Sequence, residues 1–185
     1  MIKPLIVYVS GAPGSGKTTL ANLLSEQLYI PHISSDLVHG GVEYTSDSNN
    51  REETFRDIFV PTMISMAHKG VSFVVDSVLQ KGLSETDIID RLRPHAVIVY
   101  VHTQSTNPIE RYISRVESSI VPSIIKRRKE LLGRVPYHKD NLKKTSQPLK
   151  LGVSTIIVDT DDGYAPNLDE IISYIHTSYT SQRQD

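Results

Sequence analysis

At 185 residues the chain is long enough to bury one full core, and it reads as one domain. Its 20 Lys and Arg nearly balance 21 Asp and Glu, for a formal net charge of −1, so overall charge marks neither a nucleic-acid nor a membrane binder. There is no cysteine, which excludes a disulfide framework and a thiolate metal site, and no apolar run approaches a membrane span.

Only Lys3 precedes the first apolar run as a charge, which leaves no room for a signal peptide and makes a cytoplasmic location the expectation. That run, Leu5 to Val9, reads as a buried parallel strand. It is followed by Gly11-Ala12-Pro13-Gly14-Ser15-Gly16-Lys17-Thr18, which fits the phosphate-binding pattern G-x-x-x-x-G-K-[ST]. Glycines let the backbone curl so that successive N–H groups cradle phosphate oxygens. The pattern assigns Lys17 to the β- and γ-phosphates of a nucleotide and the Thr18 hydroxyl to Mg²⁺. Leu20, Leu23, Leu24 and Leu28 then fall on one face of a helix that stops before Pro31. The positive end of that helix faces the same anion.

Pro31 to Ser35 is short and β-like, with Asp36 at its carboxyl end, where open α/β sheets bind ligands. Val38 to Asn50 is polar and contains Gly40 and Gly41, which reads as a mobile loop. A helical pattern runs from Arg51 to Lys69 with Phe55, Ile58, Phe59, Met63 and Met66 inward, Pro61 kinking or splitting it and Gly70 ending it. Val71 to Asp76 is a third strand ending in a carboxylate, the Walker B pattern. Ser84 is placed to cap a helix reaching Arg91. Ala96 to Val101 is a fourth strand, apolar enough to be central. Asn107 or Thr106 caps a helix that has Pro108 at its first position and runs to Ser118. Pro122 opens another helix, ended by Gly133, and Arg134 to Lys150 reads as irregular. Val153 to Val158 is a fifth strand. Pro166 starts a last helix with Leu168, Ile171, Ile172 and Ile175 inward, and the tail from Ser178 frays.

Strands alternate with helices, which predicts an α/β fold with a parallel sheet and right-handed crossovers. The region 118–148 is the expected lid. Charge is concentrated there: Glu110 to Lys150 holds eleven basic and four acidic residues, against nine and seventeen elsewhere. That points to an anionic partner at this segment.

Phosphoryl transfer requires the terminal phosphate held, its charge neutralised and an acceptor oxygen in line. Lys17 and the backbone from Gly14 to Thr18 fit the first task. Thr18 with Asp76, directly or through water, fits Mg²⁺. Asp36 fits a base for a substrate hydroxyl, its bland alternative being a helix cap. Arg111 and Arg115 lie four apart on one helical face and fit the stabilisation of the transferring group, the alternative being pairing with Glu110 or Glu117. Tyr164 and Pro166 follow the last strand, where an adenine ring could rest. The seven histidines show no metal-binding spacing, and His39 and His102 read as loop or strand-end residues.

Taken together, Gly11 to Thr19, Ser34-Ser35-Asp36, Val74-Val75-Asp76-Ser77 and Arg111-x-x-x-Arg115 resemble the P-loop kinases of the group that holds chloramphenicol phosphotransferase, the zeta toxins, gluconate kinase and the kinase domain of polynucleotide 5′-kinases. The resemblance implies a P-loop NTPase fold with a five-stranded parallel sheet in the order 2-3-1-4-5, helices on both faces and an arginine-bearing helical lid. It also implies ATP and Mg²⁺ as cofactors, Asp36 as general base, and a hydroxyl of a small molecule or a nucleotide or nucleic-acid end as acceptor. Several of these kinases carry an arginine three residues after the aspartate. Here His39 stands there, which disfavours a polynucleotide end. The alternatives are a nucleotide switch or ATPase acting through a protein partner, or a regulatory nucleotide-binding module. Against a switch, N-K-x-D is absent and Ser77 follows Asp76 in place of a water-activating Glu.

Overall fold

The computed structural model describes residues 3–45, 51–82, 84–120 and 122–182. Five strands form one parallel sheet: β1 (Leu5–Gly11), β2 (His32–Ser34), β3 (Phe73–Asp76), β4 (Val97–Gln104) and β5 (Ser154–Asp159), in the order β2-β3-β1-β4-β5. This is the order the resemblance implies. β1 lies at the centre because its residues are apolar on both sides and all seven are buried. Its register against both neighbours sets Ile6 beside Phe73 and Ile98, and Tyr8 beside Val75 and Tyr100.

Side chains alternate across a strand, so β1 feeds two cores. Ile6 and Tyr8 pack with Phe73, Val75, Ile98 and Tyr100 under α3 (Arg51–His68), which supplies Phe59, Val60, Met63 and Ala67. Val7 and Val9 pack on the opposite face with α1 (Lys17–Leu28), through Leu20, Ala21 and Leu24, and with α8 (Leu168–Gln182), through Ile171 and Ile175. Each fully buried aliphatic side chain stabilises the fold by about 1.5–3 kcal/mol. The two layers therefore fix the sheet rigidly beneath the strand ends that carry the polar residues.

Several boundaries differ from the sequence reading. The stretch read as a loop after Val38 is helical: α2 (Ser35–Thr45) runs through Gly40 and Gly41, and Val42 is buried. Two helical glycines cost about 1 kcal/mol each, which packing of α2 on α3 and β2 outweighs. The remainder of that stretch, 46–50, lies outside the described residues. α3 is not split at Pro61, which is exposed, so water can meet the carbonyl the proline leaves unpaired. Ile58 faces solvent at 43 % exposure instead of the core, and the Phe55 side chain lies outside the described residues. Gly70, at φ +74°, ends the helix as expected, with the Val71 amide donating to Met66 O.

Ser84 does not cap with its side chain. Its hydroxyl accepts the Gln80 amide at 2.8 Å, and a single π-helical turn (Glu85–Ile89) leads into α4 (Asp90–Leu92). α5 (Pro108–Ser118) starts at Asn107, whose side chain makes no capping hydrogen bond and whose Nδ2 donates to Thr106 Oγ1 at 3.3 Å. α6 (Pro122–Gly133) is as expected. The segment read as irregular after it holds α7 (Val135–Thr145), with Pro136 in its first turn. α8 begins at Leu168, two residues past Pro166, and continues to Gln182 with Ser178 buried, so the described part of the tail is helical.

The end of α7 is tied to the sheet. His102, in β4 and 1 % exposed, has Nδ1 at 2.8 Å from Tyr100 Oη and Nε2 at 3.0 Å from Ser146 O. Burial holds this imidazole below the ordinary histidine range, with the Ser146 carbonyl working against it. Among the described residues no helix is long and apolar enough to cross a membrane.

Candidate active site

The loop between β1 and α1 sits at the carboxyl end of the central strand. Gly14 and Gly16 have φ of +87° and +80°, which side-chain-bearing residues rarely adopt. Gly14 also lies against the start of α5: a Cβ there would stand 1.8 Å from Pro108 O. With glycine at the cap position of α1, no side chain covers the first amides of that helix. The loop is braced from outside. Thr160 Oγ1 donates to Ser15 O at 2.9 Å, and Ser15 Oγ lies 2.7 Å from Thr103 Oγ1.

Lys17 is 8 % exposed. Burial holds its ammonium below the ordinary lysine range. Asp36 and Asp76 act in the opposite direction, and Arg115 adds to the lowering. All three are therefore close enough to Lys17 for their charges to act on it. Thr18 Oγ1 donates to Asp76 Oδ2 at 2.8 Å. The other oxygen, Asp76 Oδ1, lies 2.6 Å from His32 Nε2, and His32 Nδ1 lies 2.6 Å from Asn22 Oδ1. Asp76 has no exposed surface. Burial pushes its carboxyl up, but the hydrogen bonds from His32 and Thr18, with the charges of His32 and Lys17, outweigh it and leave it below the usual carboxylate range.

The β2–β3 register sets Ser34 opposite Asp76, so the two side chains share a face. Ser34 Oγ is buried without a hydrogen-bond partner among the described residues. Asp36 is the acidic residue in the first turn of α2 and is exposed to the cleft. The structure thus joins Thr18 to Asp76 at the strand end beside Lys17, within reach of the charges of Asp36 on α2 and Arg115 on α5.

Arg111 lies against the outer side of the loop, with Nη2 3.5 Å from where a Cβ on Gly16 would stand. Its Nη1 donates to Thr160 Oγ1 at 2.9 Å and Thr160 O at 3.1 Å, and lies 3.5 Å from Asp161 Oδ1. Asp161 is held down at about 2 by hydrogen bonds from Ser105 and Thr106. Arg111 therefore flanks the loop on the β5 side, where its charge also acts on Tyr164, while Arg115 lies over the Tyr112 ring at 5.6 Å. The two arginines still line one cavity on the same face of α5, as their spacing predicts. Neither arginine forms its described contacts with Glu110 or Glu117.

Of the adjacent arginines of α6, Arg128 donates to Val116 O at 3.2 Å and Ser119 O at 3.0 Å, which ties α6 to the end of α5. Arg127 pairs with Glu130 at 3.1 Å. His32 was absent from the sequence reading, since its link to Asp76 spans 44 residues and follows only from the β2–β3 register.

A family model described as AAA domain matches residues 7–130, which is more than half the chain and spans the loop, both aspartates and the two arginines of α5. The chain belongs to the AAA domain family. As a member of it, this AAA-domain chain carries the P-loop kinase fold. It superposes on a kinase candidate from Chloroflexus aurantiacus with a TM-score of 0.72 at 20 % identity, covering 98 % of each chain. It matches a gluconokinase from Sinorhizobium meliloti with a TM-score of 0.54 at 17 % identity over 100 % of this chain and 96 % of that one. In sequence it is 22 % identical over 164 residues to a shikimate kinase of Clostridium botulinum, covering 81 % of this chain and 89 % of that one. A segment of 55 residues is 42 % identical to an adenylate kinase of Chlamydia trachomatis, and the AAA-domain chain spans 22 % of that enzyme's length.

Proposed function

We propose that the protein is a cytoplasmic, ATP-dependent phosphotransferase that moves the terminal phosphate of ATP to a hydroxyl of a small molecule or nucleotide. The observation that carries the reading is the hydrogen bond of Thr18 to Asp76 at 2.8 Å beside the buried Lys17, on which the charges of Asp76 and of Asp36, exposed at the start of α2, both act. The kinases among the relatives and fold neighbours support it.

The amides from Gly14 to Thr18 and the Lys17 ammonium hold the phosphates. The residues present fit Mg²⁺. Thr18 and Asp76 offer hard oxygen donors, and the unpartnered Ser34 hydroxyl beside them suits a hydrated ion. Mg²⁺ supplies charge neutralisation on the phosphates when bound. His32 holds Asp76 in one orientation, so that its other oxygen faces Thr18. Asp36 orients the acceptor hydroxyl and takes its proton as the new O–P bond forms. Arg115 meets charge on the transferring group, and Arg111 with Tyr164 bounds the nucleotide base. The lid, α6 and α7, excludes water.

A switch or partner-driven ATPase is disfavoured by Ser77. Its hydroxyl lies 2.5 Å from Tyr8 Oη inside the sheet, so the residue after Asp76 is not presented to a water molecule. The test is ADP release from ATP and Mg²⁺ against a panel of hydroxyl acceptors (nucleosides, sugars, hydroxy acids, RNA 5′ ends), with Lys17→Ala as the blank. At least one acceptor should raise release well above the Lys17→Ala background. Release that responds to no acceptor, or that survives Lys17→Ala, would sink the reading.

A further inference from the structure

Thr160 follows β5 directly and is 6 % exposed. Its hydroxyl has three polar neighbours: Oγ1 lies 2.9 Å from Ser15 O, 3.2 Å from Gln104 O and 2.9 Å from Arg111 Nη1. A hydroxyl has one hydrogen to donate and lone pairs to accept with, whereas a guanidinium only donates. Arg111 therefore occupies a lone pair of Thr160 and leaves the hydrogen for a carbonyl. Ser15 O is the nearer of the two carbonyls. The charge on Arg111 polarises the hydroxyl and strengthens the bond it donates. Arg111 Nη1 also donates to Thr160 O at 3.1 Å, so the guanidinium fixes both the backbone and the side chain of this residue.

Ser15 O belongs to the peptide that joins Ser15 to Gly16. That peptide is trans, so its C=O and N–H point to opposite sides. With Ser15 O drawn outward to Thr160, the Gly16 N–H points away from β5, and among the described residues no group accepts it. Glycine rotates freely about its own φ, so Gly16 by itself does not hold the peptide in one orientation. The hold comes from outside the loop. Contact there is close: a Cβ on Gly16 would stand 3.3 Å from Thr160 Oγ1 and 3.4 Å from Thr160 Cβ.

We propose that Thr160, backed by Arg111, is a positioning residue for the phosphate loop, turning the Ser15–Gly16 peptide so that the Gly16 N–H faces the phosphates of the nucleotide. This rests on the phosphotransferase reading above. A donor already aimed at its anion needs no ordering when the anion arrives. Without the hydroxyl the peptide rotates, and binding has to fix it again.

The experiment titrates tripolyphosphate and a non-hydrolysable ATP analogue, each with Mg²⁺, into the parent protein, Thr160→Val and Thr160→Ser, with melting curves beside the titrations. Thr160→Val keeps the shape and loses the hydroxyl. It should bind both ligands about tenfold more weakly, the lower end of what one hydrogen bond to a charged group contributes. Thr160→Ser keeps the hydroxyl and should stay within about twofold of the parent. Should Thr160→Val fail to fold, Thr160→Ala takes its place with the same expectation. In turnover with an acceptor found by screening, the KM for ATP should rise in Thr160→Val while the KM for the acceptor holds. Parent-like affinity in Thr160→Val would overturn the proposal, and so would an equal loss in Thr160→Ser, which would mark a packing role. A parallel rise in both KM values would overturn it as well, being the sign of a general distortion. A parent protein that binds neither ligand would instead overturn the phosphotransferase reading itself.

Discussion

Replacing Gly14 by alanine tests the packing that shapes the phosphate loop. The added Cβ would stand 1.8 Å from Pro108 O, 2.8 Å from Pro108 C and 2.9 Å from Tyr112 N, all of them backbone atoms at the start of α5. No side chain can rotate to relieve that overlap, so the loop and α5 must separate. The left-handed φ of +87° adds its own strain. Strain of about 1–2 kcal/mol and overpacking of about 1–3 kcal/mol together give a loss of about 2–5 kcal/mol. For a chain of this size that lowers Tm by roughly 5–15 °C. The control is Gly40→Ala in α2, where an added Cβ meets nothing within 4 Å. There the substitution gains about 0.5–1 kcal/mol of helix propensity and should raise Tm slightly. Scanning calorimetry of both variants beside the parent decides the matter. A Gly14→Ala protein melting within about 2 °C of the parent, or a Gly40→Ala protein losing as much as Gly14→Ala, would refute the reasoning.

Other expectations are simpler to state. Asp36→Asn should cut kcat by ~10²–10⁴ with the acceptor found by screening, while nucleotide affinity stays within a few-fold, because Asp36 is exposed and only biases Lys17 at a distance. Steady-state kinetics with a parallel binding titration checks it, and a variant that loses binding but keeps turnover would reassign the residue. Asp76→Asn should change the acid limb of stability. The folded Asp76 carboxyl lies below its ordinary value, so its contribution is present above about pH 4 and is lost as pH falls through the depressed value. Urea midpoints between pH 6 and pH 2 should therefore fall less steeply in the variant, which should also be less stable at pH 6 by about 1–3 kcal/mol. Parallel slopes for the two proteins would show that Asp76 carries no such linkage.

The P-loop, the five strands and most helices were legible because each rests on a local pattern. Gly11 to Thr18 needs only its own glycines to be read, and Leu20 and Leu24 announce a buried helical face within one turn. α2 was missed because glycine weighs against a helix in any local reading, while the packing that overrides it comes from α3 and β2. α7 was missed because its sequence is polar, with only Thr145 fully buried, so no apolar stripe announced it.

What the amino-acid order determined alone was the chemistry on offer: a backbone able to curl around phosphate, an ammonium beside it, and carboxylates at two strand ends. Only the folded chain decided how these meet. Strand register joins His32 to Asp76 across 44 residues, and the loop after β5 draws Arg111 to Thr160 across 49. The physical reason is range. Propensity and periodicity act over one or two turns, whereas hydrogen bonds and charges between distant segments exist only once the packed sheet has fixed their separation.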